Sequence, residues 1–264
     1  MNALALAYFE PSRAKYWAMA LVGLRQRSQG RAALPIRALF YVLILVIFSR
    51  IWSAIVPNAG EYVWYLAVAD WVTLIQPRLF DSIQRDVRSG DVACMLGRPI
   101  SYLGAKLAET FGELVPSFVV LALVGMVTAY ALAGSWPNEP LGLLAALVLA
   151  VLASMLWQLA NAWIGLCAFW LDDCTPVYWL WQKAAFVLGG LFVPLTLYPA
   201  WLQTLAGWSP FSAMIAGPAS MVLRFDLELF VLLVAKLGAS IVLAWHIVSF
   251  TYRRALRAIE VGGG

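Results

Sequence analysis

Long apolar blocks constrain the fold of this chain more than any other feature. A helix needs roughly 20 residues to cross the hydrocarbon core of a bilayer, and six blocks are long enough: residues 36–56, 62–80, 110–133, 141–171, 177–197 and 229–250. In lipid, backbone polar groups must bond within the protein, so a spanning segment is a helix or part of a closed barrel. Continuous apolar runs without alternation exclude the barrel. We predict an all-α, polytopic membrane protein with six transmembrane helices.

The composition excludes several functions. Hydrophobic residues make up 63% of the 264 residues and charged residues only 12%, against about 25% charged in soluble domains. The net charge of +4 does not indicate a nucleic-acid partner, because the basic residues flank the apolar blocks and act as topology signals in a chain whose surroundings are membrane lipid. Three cysteines and one histidine are too few for a metal site with ordinary ligand spacing.

Basic residues also predict the orientation, since cytoplasmic segments retain Lys and Arg near span ends. They are concentrated before span one, between spans two and three, and after span six. Both termini are therefore predicted to be cytoplasmic. We divide the chain into a cytoplasmic segment (1–35), a six-helix domain (36–250) and a basic tail (251–264). Residues 16–24 have helical apolar spacing and predict an interfacial helix; an ordinary basic flank is the alternative.

Two connecting segments are too elaborate for simple turns. Segment 194–218 is apolar but contains several prolines and glycines, which predicts a broken, re-entrant helical excursion on the outer side. The cytoplasmic connection 81–109 exceeds the usual 2–8 residues. There we expect Asp81 to cap a short helix, Gly90 to end it in the left-handed conformation, and Ser101 to cap the helix entering span three. Such a helix-break-helix element is suited to docking on a cytosolic partner.

Two motifs carry a resemblance to a known family. IQRDVRSGDVACMLGRPISY in the cytoplasmic connection and LFVPLTLYPAWLQTLAGWSPFSAMIAGP after span five resemble ABC transporter type-2 permeases, in particular an uncharacterised bacterial branch of similar length. The resemblance implies a coupling helix that binds the ATP-binding subunit, with Arg85, Asp86, Arg88, Gly90, Asp91, Leu96, Arg98 and Pro99 as its contact residues. For the segment after span five we predict a gate comprising Pro194, Pro199, Trp201 and Pro210.

The same resemblance implies a place in a bacterial inner membrane and an assembly of several subunits. Two ATP-binding subunits would join this permease and a second permease, either the same chain or a different one, and the complex would usually work as an exporter. The chain has no G-x-x-x-x-G-K-[ST] phosphate-binding run. We therefore expect a non-catalytic subunit without a cofactor of its own, with ATP and Mg²⁺ bound by the partner.

Polar residues within the spans suggest a translocation path. Ser154, Gln158 and Asn161 lie on one helical face of span four, and Asp70 is an ionisable residue deep in span two. Bonding between helices is the alternative for the first three, and Arg50 is a candidate partner of Asp70. At the start of span three, Lys106 is a candidate partner of Glu109.

Taken together, these features predict an ATP-driven exporter of an amphiphilic or hydrophobic substrate. An ion- or proton-driven secondary transporter is the alternative, although such transporters are typically built from inverted repeats and none is visible here. An intramembrane enzyme is disfavoured because no nucleophile motif or paired catalytic carboxylates occur.

Overall fold

The computed structural model describes residues 13–29, 33–55, 59–96, 100–137 and 139–262. Within these ranges all regular structure is helical. The helices are α1 (Arg13–Gln29), α2 (Ala33–Ile55), α3 (Ala59–Leu74), α4 (Leu79–Ser89), α5 (Asp91–Leu96), α6 (Tyr102–Ala133), α7 (Pro140–Leu166), α8 (Thr175–Leu188), α9 (Ala200–Trp208), α10 (Pro210–Met214), α11 (Ala216–Leu223) and α12 (Leu227–Gly262), with 3₁₀ turns at Cys167–Phe169 and Leu195–Leu197.

Four helices in the described ranges are long and apolar enough to cross a membrane. They are Ala33–Ala54, Tyr102–Ala133, Pro140–Phe169 and Leu227–Leu256, and they coincide with predicted spans one, three, four and six. At the second and fifth spans, α3 and α8 have only 16 and 14 residues. The all-α, multi-pass architecture is confirmed, whereas the number of six spans stays a prediction.

Both short helices end earlier than predicted. α3 ends at Leu74, because Pro77 disfavours the helical conformation of the residue before it. Phe80 lies in the next helix, α4, so its assignment to span two was wrong. α8 ends at Leu188, before Gly190 adopts a positive φ of 69°.

Helix α3 lies at the centre of the bundle. Its residues 63–72 are all buried, against α2, α6, α7 and α11. The surrounding helices expose large apolar side chains, including Leu39 at 72%, Val127 at 69% and Leu243 at 63%. Such exposure would be costly in water but suits helices whose outer faces contact lipid.

The amino-terminal helix α1 packs closely on the first half of α6. A Cβ atom at Gly112 would lie 1.9 Å from the Ala20 carbonyl oxygen, and one at Gly23 would lie 1.9 Å from the Glu109 carbonyl oxygen. Only glycine allows the two backbones to approach this closely. Trp17 and Leu21 on α1 remain exposed, so an apolar face of this helix points away from α6.

The connecting segments contact one another at the two ends of the bundle. At one end, α1 meets α6, and the Tyr102 and Tyr252 rings stack with centroids 6.4 Å apart. At the other end, Trp64 Nε1 donates to the Ser135 carbonyl and the Phe225 N–H donates to the Glu139 carboxylate, both at 3.0 Å. The segments predicted to be cytoplasmic from their basic residues therefore lie together at the first end.

Segment 194–218 forms a series of short, broken helices, as its prolines and glycines predict. Pro199 precedes α9, Pro210 opens α10, and α11 returns into the bundle against α3 and α7. Lys236 of α12 donates to the Gly207 carbonyl at 2.6 Å and to the Ser212 hydroxyl at 3.0 Å. These bonds link the segment to the last long helix.

Candidate functional site

Residues 79–96 form a helix-break-helix element, which is the first part of the candidate site. Gly90 ends α4 with φ of 77°, as predicted, and its N–H donates to the Val87 carbonyl. The prediction that Asp81 caps α4 was wrong. The helix begins at Leu79, and Asp81 in its first turn instead pairs with Arg85 at 2.9 Å.

The apolar face of α4 packs against α7. Leu79, Phe80 and Ile83 are buried, and a Cβ atom at Gly165 would lie only 2.8 Å from the Ile83 Cβ atom. The absence of a side chain at Gly165 thus lets α4 approach the backbone of α7. Movement of α4 would be transmitted directly to α7 through this close contact.

A second contact joins α4 to the start of α8. The Gln84 side chain accepts a hydrogen bond from the Cys174 N–H at 2.7 Å and donates to the Asp173 carboxylate at 3.3 Å. Asp173 in turn accepts from the Thr175 N–H and hydroxyl in the first turn of α8. The Thr175 N–H is the main reason why the pKa of Asp173 lies below its ordinary value, so this carboxyl is charged at neutral pH.

A nearly buried ion pair joins α4 to α6. Lys106 Nζ lies 2.8 Å from the Asp86 carboxylate, with 12% and 14% of the two side chains exposed. The Tyr102 hydroxyl donates to the same carboxylate at 2.8 Å, and Lys106 also donates to the Ser82 hydroxyl at 2.9 Å. The predicted Lys106–Glu109 pairing was therefore wrong, because the Lys106 ammonium group binds Asp86 and Ser82 of α4 instead.

The opposite face of the helix-break-helix element is exposed. Arg85, Arg88, Gly90 and Asp91 all lie on it, and the Ser89 hydroxyl donates to the Asp91 carboxylate at 2.7 Å. Of the remaining predicted contact residues, Leu96 ends α5, and Arg98 and Pro99 lie outside the described residues. Asp86 points inward and does not join this surface.

The second part of the candidate site is the buried polar row, formed by Gln76, Ser154, Gln158 and Asn161. Gln158 Nε2 donates to Gln76 Oε1 at 2.9 Å, and Gln76 Nε2 donates to the Ser154 hydroxyl at 3.0 Å. Asn161 lies one turn further along α7 and donates to the Trp157 carbonyl. Sequence reasoning missed Gln76, although a glutamine within an apolar block was the signal for it.

Several buried polar atoms near this row have no hydrogen-bond partner within the described chain. They are Gln158 Oε1, Asn161 Oδ1 and Trp157 Nε1, together with Ser117 Oγ and Asp70 Oδ2 elsewhere in the bundle. Buried polar atoms are normally satisfied by protein or ordered water. A cluster of unpaired acceptors and donors on α7 thus favours contact with water, a ligand or another subunit.

Asp70 does not join the row. Its side chain is 2% exposed and lies near Tyr41, whose hydroxyl donates to the Ala67 carbonyl. The predicted contact with Arg50 is not formed, because that side chain points to the exterior of the bundle. The candidate path residues therefore divide into the row on α7 and a separate carboxyl on α3.

The predicted gate residues are spread along the broken segment. Pro194 is buried, Pro210 is half-buried, and Pro199 and Trp201 are exposed. Trp208 is exposed as well, at 85%. The two tryptophans thus present a large apolar surface on α9.

A family model provides the decisive comparison. The model of the ABC-2 family transporter protein matches residues 34–263, which is nearly the whole described bundle. The chain belongs to the ABC-2 transporter family. No curated protein matches it. Membership of this family supports a role of the ABC-2 chain as the permease subunit of an ABC transporter. Such permeases are membrane subunits that are normally non-catalytic and work with an ATP-binding subunit.

Proposed function

We propose that this permease belongs to an ATP-driven exporter of an amphiphilic or hydrophobic substrate, and that the helix-break-helix element is its coupling helix. One observation carries the proposal: the element exposes a charged outer face while its inner face contacts three helices. Packing on Gly165, the Gln84 bonds and the Asp86–Lys106 pair connect it to α7, α8 and α6. Motion imposed on the outer face would reach all three helices.

The placement of basic residues supports a cytosolic position for this element. The amino-terminal helix, the element and the end of α12 share one end of the bundle and carry nine of the 18 Lys and Arg residues. The positive-inside rule assigns that end to the cytoplasm, as expected for an inner-membrane protein with both termini inside. The exposed Trp17 and Leu21 of α1 then lie where an interfacial helix meets lipid.

Six spans are consistent with the short helices α3 and α8. α3 is enclosed by other helices along residues 63–72, so its central turns contact protein instead of lipid and it need not match the bilayer thickness. The segment after α8 then forms the re-entrant part on the outer side, with Pro194, Pro199, Trp201 and Pro210 in the gate.

The assembly that we propose contains two ATP-binding subunits and two permeases, the second being the same or a different chain. The unpaired polar atoms of α7, Gln158 Oε1 and Asn161 Oδ1, support a substrate path that includes the buried polar row and is completed by the second permease or by water. Asp70 is included in the path as a separate polar group.

Gln158→Leu tests the path. We expect a loss of about 1–3 kcal/mol in the free energy of unfolding, because Gln76 Oε1 loses its donor in a buried position. The Gln76→Leu/Gln158→Leu double variant removes both partners of that bond and should recover most of the lost stability, since only the Ser154 hydroxyl then loses a donor. Efflux of a fluorescent amphiphilic dye should nevertheless stay roughly fivefold slower than in wild type in both variants. The reason is that the unpaired Gln158 Oε1 acceptor, which we assign to the substrate path, is missing. Recovery of efflux in the double variant would assign the row to packing alone.

The proposed function itself is tested by co-expression with an ABC ATP-binding subunit from the same organism. We expect a complex with equal numbers of permease and ATP-binding chains, and dye efflux that stops on ATP depletion but continues when the ion gradient is collapsed. Efflux that survives ATP depletion and stops with the ion gradient would instead indicate a secondary transporter.

A further inference from the structure

A second site adjoins the buried polar row, in a cleft between α2, the turn after α3, and α8. The cleft has a volume of about 380 Å³ and is lined by Ile36, Arg37, Phe40, Arg78, Tyr178 and Gln182, among other residues. Gln76 of the buried polar row lines its inner side. This volume falls in the range of roughly 300–1,000 Å³ that is usual for ligand pockets. We name it the basic cleft.

Positive charge dominates the basic cleft. Arg37 and Arg78 both line it, and none of its described lining residues is Asp or Glu. Both guanidinium groups lie near the Tyr178 phenol, whose hydroxyl accepts a hydrogen bond from Gln182 at 3.2 Å. Guanidinium groups match the geometry of phosphate oxygens, and phenol and amide groups supply further hydrogen bonds.

Two further contacts extend the positive charge around Trp179. The Arg78 guanidinium lies 5.9 Å and the Lys183 ammonium 5.5 Å from the centre of the Trp179 ring. Lys183 lies two turns into α8, and its ammonium is also 5.5 Å from the centre of the Phe186 ring. Tryptophan and basic side chains in such an arrangement are typical of the depth at which lipid headgroups lie.

The outer rim of the basic cleft is apolar. Ile36 and Phe40, one turn apart on α2, are 65% and 54% exposed. A ligand whose anionic group occupies the cleft would therefore extend hydrophobic chains along the outer face of α2. That combination fits a phospholipid in the same leaflet better than a free anion.

We propose that the basic cleft binds the headgroup phosphate of an anionic phospholipid. Basic pockets between transmembrane helices on the cytoplasmic side are known to bind such headgroups. Bound there, the lipid bridges α2, the α3–α4 turn and α8, and so contacts the segment that begins the helix-break-helix element. The inference goes beyond the proposed function, because it holds whatever substrate the permease carries.

The experiment measures lipid binding to the purified full-length chain by native mass spectrometry, titrating phosphatidylglycerol and phosphatidylcholine separately. Arg78→Gln should weaken phosphatidylglycerol binding roughly fivefold and leave phosphatidylcholine binding unchanged. Arg254→Gln removes another exposed charge from the same end of the bundle and serves as the matched control. Circular dichroism establishes that both variants fold.

Three results would overturn the proposal. Equal binding of the two lipids by wild type would remove the role of headgroup charge. An equal loss in Arg254→Gln would assign the effect to the general charge of that end of the bundle. Displacement of phosphatidylglycerol by millimolar inorganic phosphate would identify a free-anion site in place of a lipid site.

Discussion

Lys106→Met should lower the free energy of unfolding by about 2–4 kcal/mol, because removing one member of a nearly buried ion pair leaves the other charge without compensation. The Asp86 carboxylate would retain the Tyr102 hydroxyl as a donor but lose the ammonium group, and the Ser82 hydroxyl would lose its bond from Lys106. Thermal unfolding of the purified chain in detergent measures the change.

The Asp81–Arg85 pair provides the matched control. It lies on the same helix with a similar separation of 2.9 Å, but 44% and 70% of the two side chains are exposed. Arg85→Met should therefore cost at most about 0.5 kcal/mol. If the two variants are equally stable, the Asp86–Lys106 pair does not hold α4 against α6.

Loss of this pair should also affect function. Under the proposed coupling, Lys106→Met leaves the outer face of the element unchanged, so the ATP-binding subunit should still bind. ATP hydrolysis would then proceed with reduced efflux, because α4 no longer moves together with α6. Reduced binding of the ATP-binding subunit in this variant would mean that the pair shapes the docking surface itself.

Local sequence rules predicted those features whose causes are local. Gly90 ends its helix because a residue at positive φ favours glycine, and Ser101 caps α6 by accepting a bond from the Gly104 N–H. The apolar blocks predicted the four long helices because their length alone meets the requirement of the bilayer. Pro77 also acts locally: it disfavours a helical residue before it, so α3 ends short of Phe80, where hydropathy alone would extend span two.

The interior of the site depends on contacts that sequence spacing does not reveal. Gln76 and Gln158 are 82 positions apart, and only the tertiary fold, which places the turn between α3 and α4 against α7, brings them together. Lys106 had an acidic neighbour three positions away in Glu109, yet it pairs with Asp86 from another helix. The pairing expected from sequence spacing does not form, because the nearly buried Asp86 carboxylate gains more from an ion pair than an exposed carboxylate does.

Charge reversal on the outer face should separate ATP hydrolysis from efflux. In Arg85→Glu/Arg88→Glu, both changed side chains are exposed, so the unfolding temperature should stay within about 2 °C of wild type. Efflux of the amphiphilic dye should fall at least roughly tenfold, because like charges placed across an interface disfavour the docked arrangement. The measurements are efflux in vesicles and the amount of ATP-binding subunit that copurifies.

The control reverses Arg253 and Arg254, which are exposed near the end of α12 on the same side of the bundle. Efflux should remain near wild type there, because these residues lie outside the helix-break-helix element. An equal loss in both double variants would make general surface charge the cause and remove the specific role of the element. The two classes of variant then distinguish two steps of coupling: outer-face reversal weakens docking at unchanged stability, whereas Lys106→Met preserves docking and weakens the connection to α6.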